Sequence, residues 1–259
     1  MSILYSIFRR FTWLRSPLMK IAIFLFLHWY GSLFLHTFFH HRYASHKMFR
    51  MNQAWEKVFF ILCYIFHGAA YLSPKVYGIM HRQHHAYTDT ELDPHSPKYS
   101  RNLFELFWKT RLYYNDILYG RINVEENFTR DLPEWDALDR IGNHILSRIM
   151  WVGIHVFIYT QLVTASWMFV FLPLTVLMVP IQGLIINWFA HKVGSINFSM
   201  KNTSTNLFRM DWLMMGEGYH NNHHKFPGKA NFGYKPHEID VTYLAIRALL
   251  RMGIIYRNG

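Results

Sequence analysis

IMWVGIHVFIYTQLVTASWMFVFLPLTVLMVPIQGLIINWFA, residues 149–190, contains no Asp, Glu, Lys or Arg in 42 positions. A helix needs about 20 mainly apolar residues to cross a bilayer, so this stretch predicts two membrane-spanning helices joined by a turn near residues 164–166. Residues 21–39 form another uncharged stretch of crossing length. Buried helices of a large soluble core are the alternative, but a run of this length favours an integral membrane protein.

Histidines form three clusters outside the long apolar stretch. HRQHH at residues 81–85 and HNNHH at residues 220–224 share the pattern His-x-x-His-His. Positions i, i+3 and i+4 lie on one face of a helix, so we expect each copy to direct three imidazoles at one point. HRYASH at residues 41–46 adds a pair of histidines spaced i, i+5. The three clusters together predict a metal site.

The types of side chain narrow the choice of metal without naming it. The chain has one cysteine, Cys63, which excludes zinc sites built from several thiolates and iron–sulfur clusters. Eight or more imidazoles exceed what one ion can bind, so we expect two ions. Imidazole suits zinc, copper, iron and nickel, and the element stays open on these grounds.

Residues 58–74 are apolar and uncharged, yet we do not expect them to cross the membrane. They lie between the first two histidine clusters, and a single crossing would separate those clusters. The segment from 47 to 80 is too short to cross and return. We therefore expect a helix at the membrane interface or packed inside the protein. The pair of helices predicted within residues 149–190 leaves and returns on one side, so it keeps the clusters together.

The sequence predicts one domain that spans the whole chain, residues 1–259. Residues 102–119 are aromatic with scattered charges, which predicts an amphipathic helix on the membrane surface, and residues 125–140 predict a polar cytosolic connection. The net charge of +11 favours contact with anionic lipid headgroups, or with an anionic carrier such as coenzyme A. We expect no nucleic-acid partner.

The orientation of the N-terminus is open. If residues 21–39 cross once, four basic residues in the first 20 positions lie opposite the metal site, while many more lie on the metal side. This distribution conflicts with the positive-inside tendency. Either residues 3–20 form a short membrane-associated helix on the side of the site, or the tendency is not followed. No cleavable signal peptide is expected.

The three histidine clusters resemble the histidine boxes of the membrane fatty acyl desaturases, and most closely those of the stearoyl-CoA (delta-9) type. The motifs are His-Arg-x-x-x-His, His-Arg-x-His-His and Gly-Glu-x-x-His-Asn-x-His-His, and they occur in the family's order and spacing between about His28 and Ile239. DPHS at residues 93–96 and NWFAH at residues 187–191 strengthen the resemblance.

The resemblance implies an all-α integral membrane bundle of three to four transmembrane helices, with a cytosolic helical cap that holds a di-iron site. It implies O2-dependent formation of a cis double bond, with delta-9 position and an acyl-CoA substrate expected. The implied iron ligands are His41, His46, His81, His84, His85, His191, His220, His223 and His224, and Asn187 through a water. Asp89, Asp93 and Glu217 could orient ligating imidazoles through their second nitrogen.

Reduction of O2 to water takes four electrons, and the substrate supplies two. The sequence contains no His-Pro-Gly-Gly haem motif, no cysteine set and no Gly-x-Gly-x-x-Gly loop. We therefore expect a separate donor such as cytochrome b5, ferredoxin or rubredoxin. The short termini and the lack of a fused donor suggest a bacterial inner membrane with the site facing the cytosol, or the endoplasmic reticulum in a eukaryote.

Some features depart from the family pattern. Vertebrate members carry Arg and an acidic residue just before the second box, where this chain has YGIM at residues 77–80. Acyl-CoA, acyl carrier protein and intact lipid therefore all remain possible carriers. The third box begins with His220 and not Gln, which argues against front-end desaturases.

Residues of the first membrane helix raise two further hypotheses. His28, His36 and His40 either serve the site or hydrogen-bond neighbouring helices. In similar desaturases this helix lines the closed end of the acyl tunnel, so Trp29, 12 residues before His41, is a candidate floor of that tunnel. The alternative is a tryptophan packed against neighbouring helices or lipid.

Two other functions remain to be weighed. A hydroxylase on the same di-iron scaffold would differ in its product and is poorly separated by sequence motifs. A membrane transporter or store for metal ions would need polar residues along its path. The long apolar stretch offers only His155 among ionisable groups other than tyrosine, which argues against transport.

Overall fold

The computed structural model describes residues 16–258 and is mostly helical. Strands β1 (Arg50–Met51) and β2 (Ile255–Tyr256) form one small antiparallel pair. The helices are α1 (Pro17–Leu35), α2 (Gln53–His67), α3 (Pro74–Tyr87), α4 (Leu103–Leu118), α5 (Glu126–Thr129), α6 (Asp136–Asn143), α7 (Ile145–Leu162), α8 (Leu172–Val176), α9 (Met178–Leu184), α10 (His220–Lys225) and α11 (Val241–Arg251). This architecture agrees with the expected all-α membrane bundle.

The first apolar stretch forms one long helix. Ser16 caps α1 by accepting a hydrogen bond from the Met19 amide, and Pro17 occupies the first turn, where a missing N–H costs nothing. Beyond Leu35 the helix continues as a π-helix over His36–Ser45, so 29 residues form a candidate membrane span. The prediction for residues 21–39 is confirmed. Of the proposed N-terminal helix, residues 3–15 lie outside the described residues, and residues 17–20 belong to α1.

The long apolar stretch has one regular arm and one broken arm. Helix α7 is a candidate span, and the chain turns at residues 163–165, as expected. The second arm is not the single helix predicted. It runs through a 3₁₀ segment (Ser166–Phe171), α8, α9 and a π-helix (Ile185–Phe189), with a bend of 60° between Val176 and Met178. Pro173 and Pro180 contribute to this break because each lacks the N–H that a continuous helix would use.

Helices α2 and α3 form a bent unit. They are bent by 79° at the break between Ala70 and Pro74, and together they are long and apolar enough for one span. His46, before α2, and His81, in the second half of α3, nevertheless meet, because Nε2 of His46 lies 2.8 Å from Nε2 of His81. The unit therefore keeps the first two boxes together, in agreement with the expectation that residues 58–74 do not cross.

Aromatic packing holds α2 against the site-side half of α1. Phe38 and Phe39 pack with Phe59 and Phe60 in the main buried cluster. Gly31 gives α2 close access, since a Cβ there would lie 2.3 Å from the Phe66 ring. This packing fixes the π-helix that extends α1, and α3 packs against that π-helix, which is where the histidines of the first two boxes lie.

Helix α4 has the amphipathic form expected of residues 102–119. Phe104, Trp108 and Leu112 recur every four residues and are exposed, while Leu106 and Tyr114 are buried. An exposed aromatic stripe on a helix beside membrane spans is the arrangement of an interfacial helix.

Candidate metal centre

Nine histidines gather into two adjacent clusters at the site-side end of α1. The five-histidine cluster contains His41, His46, His81, His85 and His223. The four-histidine cluster contains His84, His191, His220 and His224. Within each cluster, one ring nitrogen from every histidine lies within 4.8 Å of the others. The structure thus brings together all nine histidines that the resemblance implies.

The inward-facing atoms are Nε2 nitrogens. In the five-histidine cluster, Nε2 of His223 lies 2.9 Å from that of His41 and 2.8 Å from that of His85. In the four-histidine cluster, Nε2 of His220 lies 3.0 Å from that of His191 and 2.9 Å from that of His224. Each cluster therefore presents converging nitrogens.

Each His-x-x-His-His motif divides its side chains between the two clusters. His81 and His85 belong to the five-histidine cluster, and His84 belongs to the other. The third box divides in the opposite sense, since His223 joins the five-histidine cluster while His220 and His224 stay in the other. The expectation that each motif directs three imidazoles at one point is wrong. Positions i and i+4 point together, and position i+3 lies to the side of them.

The π-helix at the end of α1 explains the spacing of the first box. His41 and His46 are five residues apart, a spacing that an α-helix turns well away from one face. The π-helix bonds residues five apart, and the amide of His46 donates to the carbonyl of His41 at 3.2 Å. Both side chains therefore reach the same cluster.

Carboxylates contact three of the nine imidazoles from behind. Nδ1 of His41 lies 2.6 Å from Glu217, and Nδ1 of His84 lies 2.9 Å from Asp93. Asp89 is 3.7 Å from Nδ1 of His191 and accepts hydrogen bonds from Thr203. All three carboxylates named from sequence lie where they could orient these rings.

The donor set fits metal cations. A carboxylate accepts hydrogen bonds, so Nδ1 of His41 and of His84 carries the proton and Nε2 is left with a free lone pair. Burial, and then the neighbouring imidazoles, hold the pKa values of His220, His223 and His224 well below the usual range. These rings are neutral near pH 7. Neutral nitrogens that converge at about 3 Å can act together as ligands of cations.

Sequence reasoning missed the residues that hold the boxes together, although they stand inside the motifs. Arg42 is fully buried, and its guanidinium contacts Glu217 at 3.2 Å and Asp240 at 2.8 Å. Arg82 of the second box donates to the carbonyl of Ser45 at 2.9 Å. These two arginines link the three boxes, and their fixed place beside the histidines was the signal that could have identified them.

The asparagines of the third box fix the loop around it. Asn222 donates to the Phe232 carbonyl and to Glu238, each at 2.8 Å, and it accepts from Asn206 at 3.0 Å. The glycine that opens the box is required by its backbone: Gly216 has φ +102, and a Cβ there would lie 2.4 Å from Asp240. The short α10 is therefore held by its surroundings.

A largely apolar cavity of about 320 Å³ adjoins both clusters. Its lining includes His41, His81 and His220 together with Asn187. Asn187 thus faces the same space as the histidines, but it belongs to neither cluster. His191 lies two residues beyond the end of the π-helix that contains Asn187.

Within the described residues, the lining of this cavity does not include Trp29. It does include Leu33, one turn closer to the histidines. The indole of Trp29 donates to the carbonyl of Leu213 at 3.0 Å, and its ring packs against the buried cluster that contains Leu33 and Met214. This packing fits the alternative given for Trp29, and its role as the floor of the tunnel stays a prediction.

Comparison with known proteins matches this architecture. A family model described as fatty acid desaturase matches residues 11–239. The chain belongs to the fatty acid desaturase family. This membership makes the protein an oxidoreductase that desaturates fatty acyl chains in a lipid environment, and its histidine clusters a metal site.

Individual relatives carry several specificities. The chain is 28% identical to Delta-9 acyl-lipid desaturase 1 of Arabidopsis thaliana, over 94% of this chain and 75% of the relative. It is 29% identical to Acyl-CoA C20 Delta5-desaturase of Anemone leveillei, over 83% of this chain and 65% of the relative. It is 26% identical to sn-1 stearoyl-lipid 9-desaturase of Anabaena variabilis, over 90% of this chain and 82% of the relative.

Proposed function

We propose that this desaturase binds two iron ions through its nine histidines and introduces a cis double bond at the delta-9 position of a saturated acyl-CoA, with O2 as oxidant. The observation that carries the proposal is the pair of imidazole clusters beside an apolar cavity. Iron bound there would supply the activation of O2 that removal of hydrogen from unactivated methylenes requires. Asn187, on the cavity wall, would contribute through a water.

The protein's own part in the reaction is positioning. The reacting methylenes carry no polar group, so only the shape of the cavity can select them. Leu33, Val179 and Ile186 line the cavity and would hold the acyl chain by apolar contact, while His41 and His220 border the same space. The lining also keeps water from the reacting carbons.

One of two arginines beside the cavity supports an anionic carrier. Arg111 and Arg148 both line the cavity. The guanidinium of Arg148 is occupied by the carbonyls of Ala69 and Tyr71, at 2.6 Å and 3.1 Å. Arg111 lies 5.6 Å from the Tyr114 ring and is available to bind a phosphate of coenzyme A.

The carrier is tested by kinetics with three substrates: stearoyl-CoA, stearoyl-acyl carrier protein and a stearoyl phospholipid. We expect Arg111→Ala to raise KM for stearoyl-CoA with little change in kcat. Arg121→Ala is the matched control, since Arg121 pairs with Asp116 on the exposed surface. Turnover of the phospholipid alone, or an unchanged KM in Arg111→Ala, would assign a different carrier.

A separate electron donor completes the electron balance. The substrate yields two of the four electrons, so cytochrome b5, ferredoxin or rubredoxin would deliver the other two. In a bacterium the site would face the cytosol, where such donors are reduced. Purified protein with substrate and O2 should be inactive until a reduced donor is added, and sustained turnover without any reductant would disprove this accounting.

The activity itself is tested in a desaturase-deficient host. Expression should add delta-9 monounsaturated fatty acids to the host's lipids, identified by mass spectrometry. His220→Ala should abolish the product, while His237→Ala should not, because His237 belongs to neither cluster. A hydroxylated fatty acid as the main product would identify the alternative hydroxylase reaction.

A further inference from the structure

A third group of possible metal ligands lies between α1 and α2. It consists of His40, Cys63 and His67, and it shares no residue with the nine-histidine centre. One ligand atom from each residue lies within 4.8 Å of the others. His40 and Cys63 have no exposed surface and His67 is 2% exposed. The group is therefore a closed site inside the protein.

Hydrogen bonds determine which nitrogen each imidazole offers. Nε2 of His40 lies 3.0 Å from the carbonyl oxygen of Leu72, and Nε2 of His67 lies 3.3 Å from that of Ser32. A carbonyl only accepts, so each Nε2 carries the proton and each Nδ1 keeps a free lone pair. A backbone carbonyl behind a ring is also the usual support of a ligating histidine.

The free nitrogen of His40 lies beside the one thiol of the chain. Sγ of Cys63 lies 3.8 Å from Nδ1 of His40. Nδ1 of His67 is buried and has no hydrogen-bond partner within residues 16–258. A single thiol proton can satisfy only one of the two nitrogens, which leaves the other unpaired in an apolar environment. A bound cation would satisfy both.

We propose that His40, Cys63 and His67 bind one copper(I) ion. Two imidazoles and one thiolate are soft to intermediate donors, and this set occurs in copper sites. Binding releases the thiol proton, so the thiolate and Cu⁺ sum to zero charge. Zn²⁺ in the same place would leave a net positive charge in a site where no carboxylate belongs to the group among the described residues, and burial penalises such a charge.

Copper binding to the full-length protein tests the site. The protein is first loaded with iron and then titrated anaerobically with copper(I) in competition with bicinchoninate, and X-ray absorption identifies the ligands. We expect one copper per chain with one sulfur and two nitrogen neighbours. Copper bound to the nine-histidine centre would lack the thiolate signal, because Cys63 is the only cysteine.

Matched variants separate this site from others. Cys63→Ala should lose one copper equivalent together with the sulfur neighbour. His67→Ala should weaken binding at least as much as the roughly 10–100-fold seen when a partner behind a ligand is removed. His155→Ala is the control, since it removes another buried histidine of the membrane region that lies outside the group.

Desaturase activity in each variant reports that the fold is intact and keeps this test apart from the proposed function. Equal copper equivalents in wild type and Cys63→Ala would overturn the proposal. Stoichiometric zinc(II) binding without copper(I) binding would overturn the assignment to copper.

Discussion

The two histidine clusters differ in how they are built. The five-histidine cluster takes its members from the end of α1, from α3 and from α10. The four-histidine cluster needs His191, which follows the broken second arm of the membrane hairpin. It has fewer imidazoles, but two carboxylates, Asp89 and Asp93, stand behind them. One cluster therefore has more imidazole donors, whereas the other has fewer donors but more carboxylates that can orient them.

Each His-x-x-His-His motif contributes side chains to both clusters, so the two clusters depend on each other. Each cluster contains an i, i+4 pair from one box and the i+3 histidine of the other box. His84 and His223 are the two i+3 histidines, and we call them exchanged because each joins the cluster that contains the i, i+4 pair of the other box. Loss of either side chain should therefore disturb both boxes, which makes these positions the sharpest tests of the comparison.

The largest expected effect comes from replacing an exchanged histidine. His84→Ala and His223→Ala should each abolish desaturation. His84→Ala leaves three imidazoles in its cluster and should lose that metal ion, whereas His223→Ala leaves four and should retain part of its metal. Metal analysis of anaerobically purified protein, with His237→Ala as control, measures the difference. Full activity in either variant, or equal metal loss in both, would contradict the expected difference between the two clusters.

A smaller effect is expected from the carboxylates. Asp93→Asn should lower metal affinity or activity about 10–100-fold, because the ring of His84 loses its fixed orientation. Glu217→Gln should have a similar effect through His41 and should also lower thermal stability, since Glu217 pairs with the buried Arg42.

The stability cost of Glu217→Gln should stay below the roughly 3–5 kcal/mol of breaking a buried ion pair, because Asp240 still pairs with Arg42. Thermal unfolding alongside metal titration separates the two effects. A loss of stability in Asp93→Asn equal to that in Glu217→Gln would show that the arginine pair is not the cause.

The smallest expected effect is on chain length. Leu33 lies on the cavity wall eight residues before His41, roughly 12 Å along the helix. Leu33→Ala should favour substrates longer by one or two carbons, with about 0.8 kcal/mol, or roughly fourfold in kcat/KM, for each methylene accommodated. The position of the double bond, counted from the headgroup, should not change.

Trp29→Ala is the companion variant. Its shift in chain length should be smaller than that of Leu33→Ala, because Trp29 stands behind the wall and binds the Leu213 carbonyl. Product profiles on 16- and 18-carbon substrates compare the two. A larger shift in Trp29→Ala would restore Trp29 as the floor of the tunnel.

Residue types and their spacing were enough to predict the class of protein. Uncharged stretches longer than a bilayer requires predicted the membrane helices, and repeated histidine motifs predicted a metal site, because both properties reside in local sequence. The same reasoning predicted that residues 58–74 do not cross the membrane, since two histidine clusters had to meet. Asp89, Asp93 and Glu217 were identified by their closeness to the boxes along the chain.

The division of the histidines was decided only by the tertiary structure. An ideal α-helix predicts a shared face for His81, His84 and His85, but how the rings are divided depends on which helix packs opposite them. The π-helix that aligns His41 with His46 and the position of Trp29 outside the cavity lining also arise from packing between distant segments. Local sequence carries no information on those contacts, because their free energy comes from partners more than a hundred residues away, as with Arg42 and Asp240.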